Sequence, residues 1–212
     1  VIGVEPEDSN CLQAAMKAGK RVVLDEVGIF ADGVAVKQIG KYPWEICKDH
    51  VDEVITVSTD EICAAIKDVF EDTRSIAEPA GALSVAGLRQ LDLKPGSTVV
   101  CVISGGNNDV LRYAEIMERS LVHRGLKHYF LVNFPQEPGQ LRHFLHEILG
   151  PTDDITLFEY LKRNNRETGA ALVGLQLSRA EDLDGLLQRM GESKISVQYL
   201  KPDTPEYEFL VA

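Results

Sequence analysis

The stretch VVCVISGGN, Val99 to Asn107, decides the reading of the fold. Five apolar residues run without alternation and stop at Ser104-Gly105-Gly106-Asn107. That pattern predicts a strand buried on both faces, opening into a small polar turn. In open α/β folds ligands gather at such strand ends. Two readings fit Ser104, a ligand contact or a tight structural turn. Its hydroxyl can donate and accept, and the glycines after it let a flat ligand approach closely.

Upstream, the chain alternates strands and helices, the signature of a parallel α/β domain. VIGV (1–4) reads as a buried parallel strand ended by Glu5-Pro6, and a start inside a core strand suggests a piece of a longer protein. A short helix with Leu12, Ala14, Ala15 and Ala18 follows and stops at Gly19. Val22 to Val27 is extended, and Gly28 to Gly40 is a glycine-rich loop. Trp44 to His50 looks helical and Val54 to Val57 is a second strand. Ser58 with Glu61 forms a capping box, opening a helix striped by Ile62, Ala65, Ile66, Val69 and Phe70. Glu78 to Ala82 is a break, and a helix rich in small residues runs from Ala82 to about Leu91. Glu78 is either a cleft carboxylate or part of that break. Three candidate core strands make a thin sheet.

Downstream, a mixed helix from Val110 to Arg119 leads to a boundary between Leu121 and Lys127, giving domains 1–120 and 121–212. The second domain reads as strand 128–134, helix 138–149, strand 155–161, loop 164–169, strand 170–177, helix and strand 195–200. This β-α-β-β-α-β order is the ferredoxin-like split unit. Leu141, Phe144, Leu145, Ile148 and Leu149 share one face of the first helix. Ser178 with Glu181 caps the second, lined by Leu183, Leu186, Leu187 and Met190. Both helices should cover one sheet face. The other would show Phe130 or Tyr129, Phe158, Tyr160 and Tyr199, inviting a partner.

Composition narrows the classes of function. With 22 basic and 33 acidic residues the net charge is −11, which disfavours nucleic acid and anionic membranes. No apolar run approaches the roughly 18 residues of a membrane span, and no signal peptide is visible, so a cytoplasmic protein is expected. Cys11, Cys47, Cys63 and Cys101 are scattered and read as reduced thiols. No zinc-ligand spacing occurs. The five histidines lie in helices or at a strand start and read as surface rather than catalytic residues, and Lys37, near glycines, as a solvated lysine or a catalytic amine.

Several motifs in order carry a resemblance. VIGVEP (1–6), FADGVAV (30–36), ITVSTDEI (55–62), AEPAGAL (77–83) and VISGGNND (102–109) resemble the second half of the catalytic domain of threonine dehydratases. That pyridoxal-phosphate fold is tryptophan-synthase-β-like and shared with serine racemase. FPQEPGQL (134–141) resembles the strand-to-helix turn of the family's ACT-like regulatory domain. The resemblance implies an α/β, partial parallel-sheet domain followed by an α+β ferredoxin-like domain. It implies that Ser104 binds the cofactor's pyridine nitrogen, that Gly105, Glu78 and Gly33 line the cofactor cleft, and that pyridoxal 5'-phosphate is the cofactor. A neutral hydroxyl does not enforce the protonated ring that an aspartate would, which suits β-elimination. Glu5 matches a cation-site carboxylate of serine racemase, but Cys11 stands where that site has an aspartate, so no metal is expected. The family's Schiff-base lysine and phosphate loop lie before residue 1, so the chain holds no catalytic residue of its own and is expected to be inactive alone. The full protein would convert L-threonine to 2-oxobutanoate and ammonia in isoleucine biosynthesis, as a dimer or tetramer. Isoleucine or valine would bind near the turn of Pro135, Glu137, Gly139 and Gln140, or at a sheet–sheet interface, and shift the catalytic domain. The alternative is a non-catalytic amino-acid-binding regulatory protein.

Overall fold

The computed structural model describes residues 1–160, 167–202 and 204–211, apart from the side chain of residue 208. The chain divides into two compact units, Val1–Ser120 and Leu121–Ala212.

The first unit has a two-stranded parallel sheet of β1 (Ile2–Pro6) and β2 (Glu53–Val57), in register from Ile2 opposite Glu53 to Pro6 opposite Val57. Around it stand α1 (Cys11–Ala18), α2 (Lys41–His50), α3 (Thr59–Thr73) and α4 (Pro79–Leu88). Helix α1 ends as expected at Gly19, whose φ of 65° no β-carbon has to tolerate. The capping box on α3 is fully formed: the Glu61 amide donates to Ser58 Oγ at 3.2 Å and the Ser58 amide to Glu61 Oε2 at 2.7 Å. Ile62, Ala65, Ile66 and Val69 are buried with Val57, Leu83 and Ala86 in one core. Among them lies the Cys63 thiol, which burial pushes up to about 12. Trp44 of α2 closes a smaller cluster with Cys11, Ala15 and Ile39.

Four expectations fail in this unit. Residues 99–103 form no strand, and Val100 and Val102 are 84% and 70% exposed. A strand needs a ladder partner, and β1 and β2 pair only with each other. The segment rests instead on α4, where Ser84 Oγ donates to the Val102 carbonyl at 2.9 Å. β1 is parallel but only half-buried, because one neighbour cannot cover it. Phe70 lies at the edge of its stripe, exposed. Residues 79–82 are no break. Pro79 sits at the first helical position, where its missing N–H costs nothing, and α4 ends at Leu88 rather than Leu91.

Helix α5 (Tyr113–His123) leads into the second unit. There β3 (Lys127–Pro135), β4 (Asp154–Tyr160), β5 (Thr168–Gln176) and β6 (Ser196–Leu200) form an antiparallel sheet in the order β4-β5-β3-β6. With α6 (Gln140–His143), continued by a π-helical turn (Phe144–Ile148), and α7 (Asp182–Glu192), this is the β-α-β-β-α-β unit. The Tyr207 ring of the terminal α8 (Pro205–Leu210) meets Tyr129 edge-on, with centroids 5.8 Å apart. No described helix is long and apolar enough to cross a membrane.

The expected sheet faces are corrected. Phe130, Phe158 and Tyr199 pack into the helix-side core with Phe144, Ile148 and Leu186, whereas Tyr129 takes the opposite face. A bulge between Ile155 and Leu157 puts Ile155 and Phe158 on one side, which strict alternation along β4 misses. Leu141 and Leu145 are exposed, because the helix packs on the core through Phe144 and Ile148, with Leu149 beside them. The second capping box is absent: α7 starts at Asp182, and Ser178 Oγ donates to the Thr152 carbonyl at 3.4 Å. The end of the expected strand at Leu161 and the expected loop residues 164–166 lie outside the described residues.

Candidate functional site

In the first unit the site is built where α4 begins. Glu78 is the N-cap of α4, yet its side chain does not cap the helix. Its carboxylate turns outward and accepts from the Asn107 amide at 3.1 Å, while its backbone amide donates to the Gly105 carbonyl at 3.0 Å. Asn108 Nδ2 donates to the Ala77 carbonyl at 3.3 Å. Residues 77–78 and 105–108 are thus stitched by backbone and side chain together.

The approach is close enough to require glycine. A β-carbon on Gly105 would lie 2.5 Å from the Glu78 carboxyl carbon, and one on Gly81 would lie 2.6 Å from the Gly105 carbonyl oxygen. Gly33 comes in from a 3-10 turn (Asp32–Val34), where a β-carbon would lie 2.9 Å from Ala80 Cβ and 3.3 Å from Glu78 Oε1. The buried Ser9 hydroxyl holds that turn by donating to the Val34 carbonyl at 3.1 Å. Of the four expected cofactor residues, Glu78, Gly105 and Gly33 therefore converge. Ser104 adjoins Gly105 with an exposed hydroxyl that has no protein partner among the described residues. A hydroxyl without a protein partner, on a turn whose glycines allow close approach, can donate a hydrogen bond to a small ligand or accept one from it.

Sequence reasoning missed Ser9, Gly81, Asn107 and Asn108. The asparagine pair following Gly106 was the available signal, since such side chains bind nearby backbone.

Glu5 has a different role from the one its motif suggests. Its carboxylate accepts the Leu12 and Gln13 amides, each at 2.8 Å, at the start of α1. Burial raises its pKa, outweighing those two hydrogen bonds. Among the described residues no three acidic, histidine or cysteine side chains gather as a metal site would require.

The second unit contains a small pocket of about 160 Å³ where β3 passes into α6. Pro135, Glu137, Gly139 and Gln140 all line it, over a floor of Phe134 and Phe158 with Tyr160. Gly139 makes the turn with a φ of 96°. Gln140 Nε2 approaches Glu137 Oε2 at 3.4 Å, and the Gln136 amide donates to the Glu167 carbonyl at 2.9 Å. The aromatic floor was missed because Phe158 and Tyr160 were expected on the other sheet face. The volume lies below the ~300 Å³ of ordinary ligand sites. It suits a molecule the size of one amino acid, with an apolar floor and a polar rim.

Two family models match successive parts of the chain. Residues 1–105 match the pyridoxal-phosphate dependent enzymes, and residues 118–210 the C-terminal regulatory domain of threonine dehydratase. The chain is 59% identical to L-threonine dehydratase biosynthetic IlvA of Corynebacterium glutamicum, over 99% of this chain and 49% of that protein. It is 44% identical to the protein of the same name from Bacillus subtilis, over 100% of this chain and 50% of that one. The chain thus spans about half the length of the curated relatives it matches. Among solved structures, the processed form of threonine deaminase isoform 2 from Solanum lycopersicum aligns with a TM-score of 0.52 and 34% identity. That alignment covers 56% of this chain and 34% of that one.

Proposed function

On the premise that this chain belongs to the biosynthetic threonine dehydratases, we propose that it supplies one wall of a pyridoxal-phosphate site and the amino-acid-sensing unit of an L-threonine ammonia-lyase. The observation that carries the reading is the convergence of Glu78, Gly105 and Gly33 beside the free Ser104 hydroxyl. When bound, pyridoxal phosphate supplies an electron sink for a carbon that loses its proton. Ser104 would donate a hydrogen bond to the ring nitrogen, and a neutral donor does not force that nitrogen to carry a proton. Gly33 and Gly105 would give the ring room against backbone. Glu78 holds the Asn107 amide and so fixes the turn that presents Ser104. The reaction would yield 2-oxobutanoate and ammonia from L-threonine.

The 121–212 unit would be the regulatory half, taking isoleucine or valine at the Pro135–Gln140 turn. Its aromatic floor would receive the branched side chain, and the Glu137 carboxylate would face the amino group. A homo-oligomer is part of the same proposal.

The test uses the protein at its natural full length, supplied with pyridoxal phosphate and L-threonine, with 2-oxobutanoate and ammonia measured. Product release by the full-length protein and none by the 212-residue chain is expected. A full-length protein that binds isoleucine but neither binds pyridoxal phosphate nor turns over threonine would favour a non-catalytic sensor instead.

A further inference from the structure

We infer that Arg112 is a positioning residue that ties the Phe30–Gly33 segment to the Ser104 turn and so sets the width of the proposed cofactor cleft. The inference rests on reading that cleft as the cofactor's.

Arg112 follows the ligand turn directly, in a 3-10 turn (Val110–Arg112) capped by Asp109, whose Oδ1 accepts the Leu111 amide at 2.9 Å. From there its half-buried guanidinium reaches back across 82 positions of sequence to a single residue. It lies over the Phe30 ring, 4.6 Å from the centroid. Its Nη1 and Nη2 approach the Phe30 carbonyl oxygen at 3.5 and 3.4 Å. One side chain thus engages both the ring and the backbone of Phe30. Among the described residues no carboxylate forms an ion pair with Arg112. Arg119, by contrast, pairs with Asp60 and Glu115. Arg112 instead spends its planar group on a loop.

That loop is one wall of the cleft. Ala31, next to Phe30, is 3% exposed in the first unit's core, and its carbonyl accepts the Val34 amide at 3.0 Å. Gly33 stands between them, against Ala80 and Glu78. The contacts close a ring: the Ser104–Asn108 turn leads to Arg112, Arg112 to Phe30, Phe30 to Gly33, Gly33 to Glu78, and Glu78 back to Asn107. Glu78 fixes one side of the opening and Arg112 the other. A lysine would keep the charge but lose the planar stack and the fork.

The test uses the full-length protein stripped of cofactor and titrated with pyridoxal phosphate, followed by cofactor absorbance, alongside the melting temperature of the apoprotein. Arg112→Met should weaken cofactor binding about tenfold, the scale of a partly desolvated cation–π contact with its hydrogen bonds. The apoprotein's melting temperature should stay close to wild type. Arg112→Lys should lose less. Phe30→Leu should lose less than Arg112→Met, because the backbone carbonyl stays for Arg112 to reach, and the double variant should lose little more than Arg112→Met alone. Wild-type cofactor affinity in both Arg112 variants, or losses that multiply in the double variant, would overturn the inference. If Arg112→Met does not fold, Arg112→Lys and its combination with Phe30→Leu decide the question. A wild-type protein that does not bind pyridoxal phosphate would overturn the cofactor reading, and this inference with it.

Discussion

β3 and the 99–103 segment are both short apolar runs, and the two units treat them in opposite ways. In the second unit β3 has β5 on one side and β6 on the other, and Phe130 and Val132 are fully buried. In the first unit residues 99–103 have no ladder partner among the described residues, and Val100 is 84% exposed. Helices carry their own hydrogen bonds, so α3 and α4 form in either circumstance. A strand is completed by its neighbours, so apolar character alone does not make one. The second unit builds its sheet from its own four strands and places its pocket on that sheet. The first presents an open wall, with a polar turn fixed by side chains rather than by a sheet.

The strongest test of this contrast is a pair of truncations. Phe130→Ala should destabilise the second unit by about 3–5 kcal/mol, whereas Val100→Ala should change stability by less than about 0.5 kcal/mol. Urea unfolding followed by circular dichroism reads both. Equal losses would break the comparison.

Gly105→Ala comes next. Its β-carbon would displace the Glu78 carboxylate, which holds the Asn107 amide, so cofactor affinity in the full-length protein should fall about tenfold, or about 1.4 kcal/mol. Gly191→Ala, in α7 with nothing within 4 Å of a new β-carbon, should leave cofactor affinity unchanged.

Two serines with the same local motif sharpen the lesson further. Ser58→Ala removes a formed capping box and should cost about 1 kcal/mol. Ser178→Ala removes no cap and should cost less than about 0.5 kcal/mol.

The smallest effect is a pH dependence confined to the second unit. His128 is buried between the Gly125 carbonyl at 2.8 Å and the Tyr199 hydroxyl at 2.9 Å. Burial lowers its pKa below the ordinary 6.5. The unfolded chain therefore binds the proton more readily, and stability is full above pH 6.5 and declines as pH falls toward the folded value. His128→Gln should flatten that slope in unfolding measured across the window.

These contrasts explain what the sequence made legible. The Ser58 box, the Ile62–Val69 stripe and the β-α-β-β-α-β order depend on near neighbours or on alternation, and all are present. The split of the Gln140–Ile148 helix depends on how it rests on the sheet, and the face of Phe158 on a bulge that one extra residue creates. Neither is written in local composition. Glu78, Gly105 and Gly33, which the structure brings together, were legible through motifs because their glycines allow close approach. Arg112 was not, because its partner Phe30 is distant in sequence and no pattern announces a cation over a ring.

The central claim is that the Ser104 turn serves the cofactor and the Pro135–Gln140 turn serves an amino-acid effector. The most direct measurement is isoleucine titration calorimetry on the full-length protein with the cofactor spectrum recorded throughout, for wild type, Ser104→Ala and Glu137→Ala. The account predicts that Ser104→Ala alters the cofactor spectrum and still binds isoleucine, while Glu137→Ala keeps the spectrum and loses isoleucine binding. Isoleucine binding lost in Ser104→Ala and kept in Glu137→Ala would contradict it.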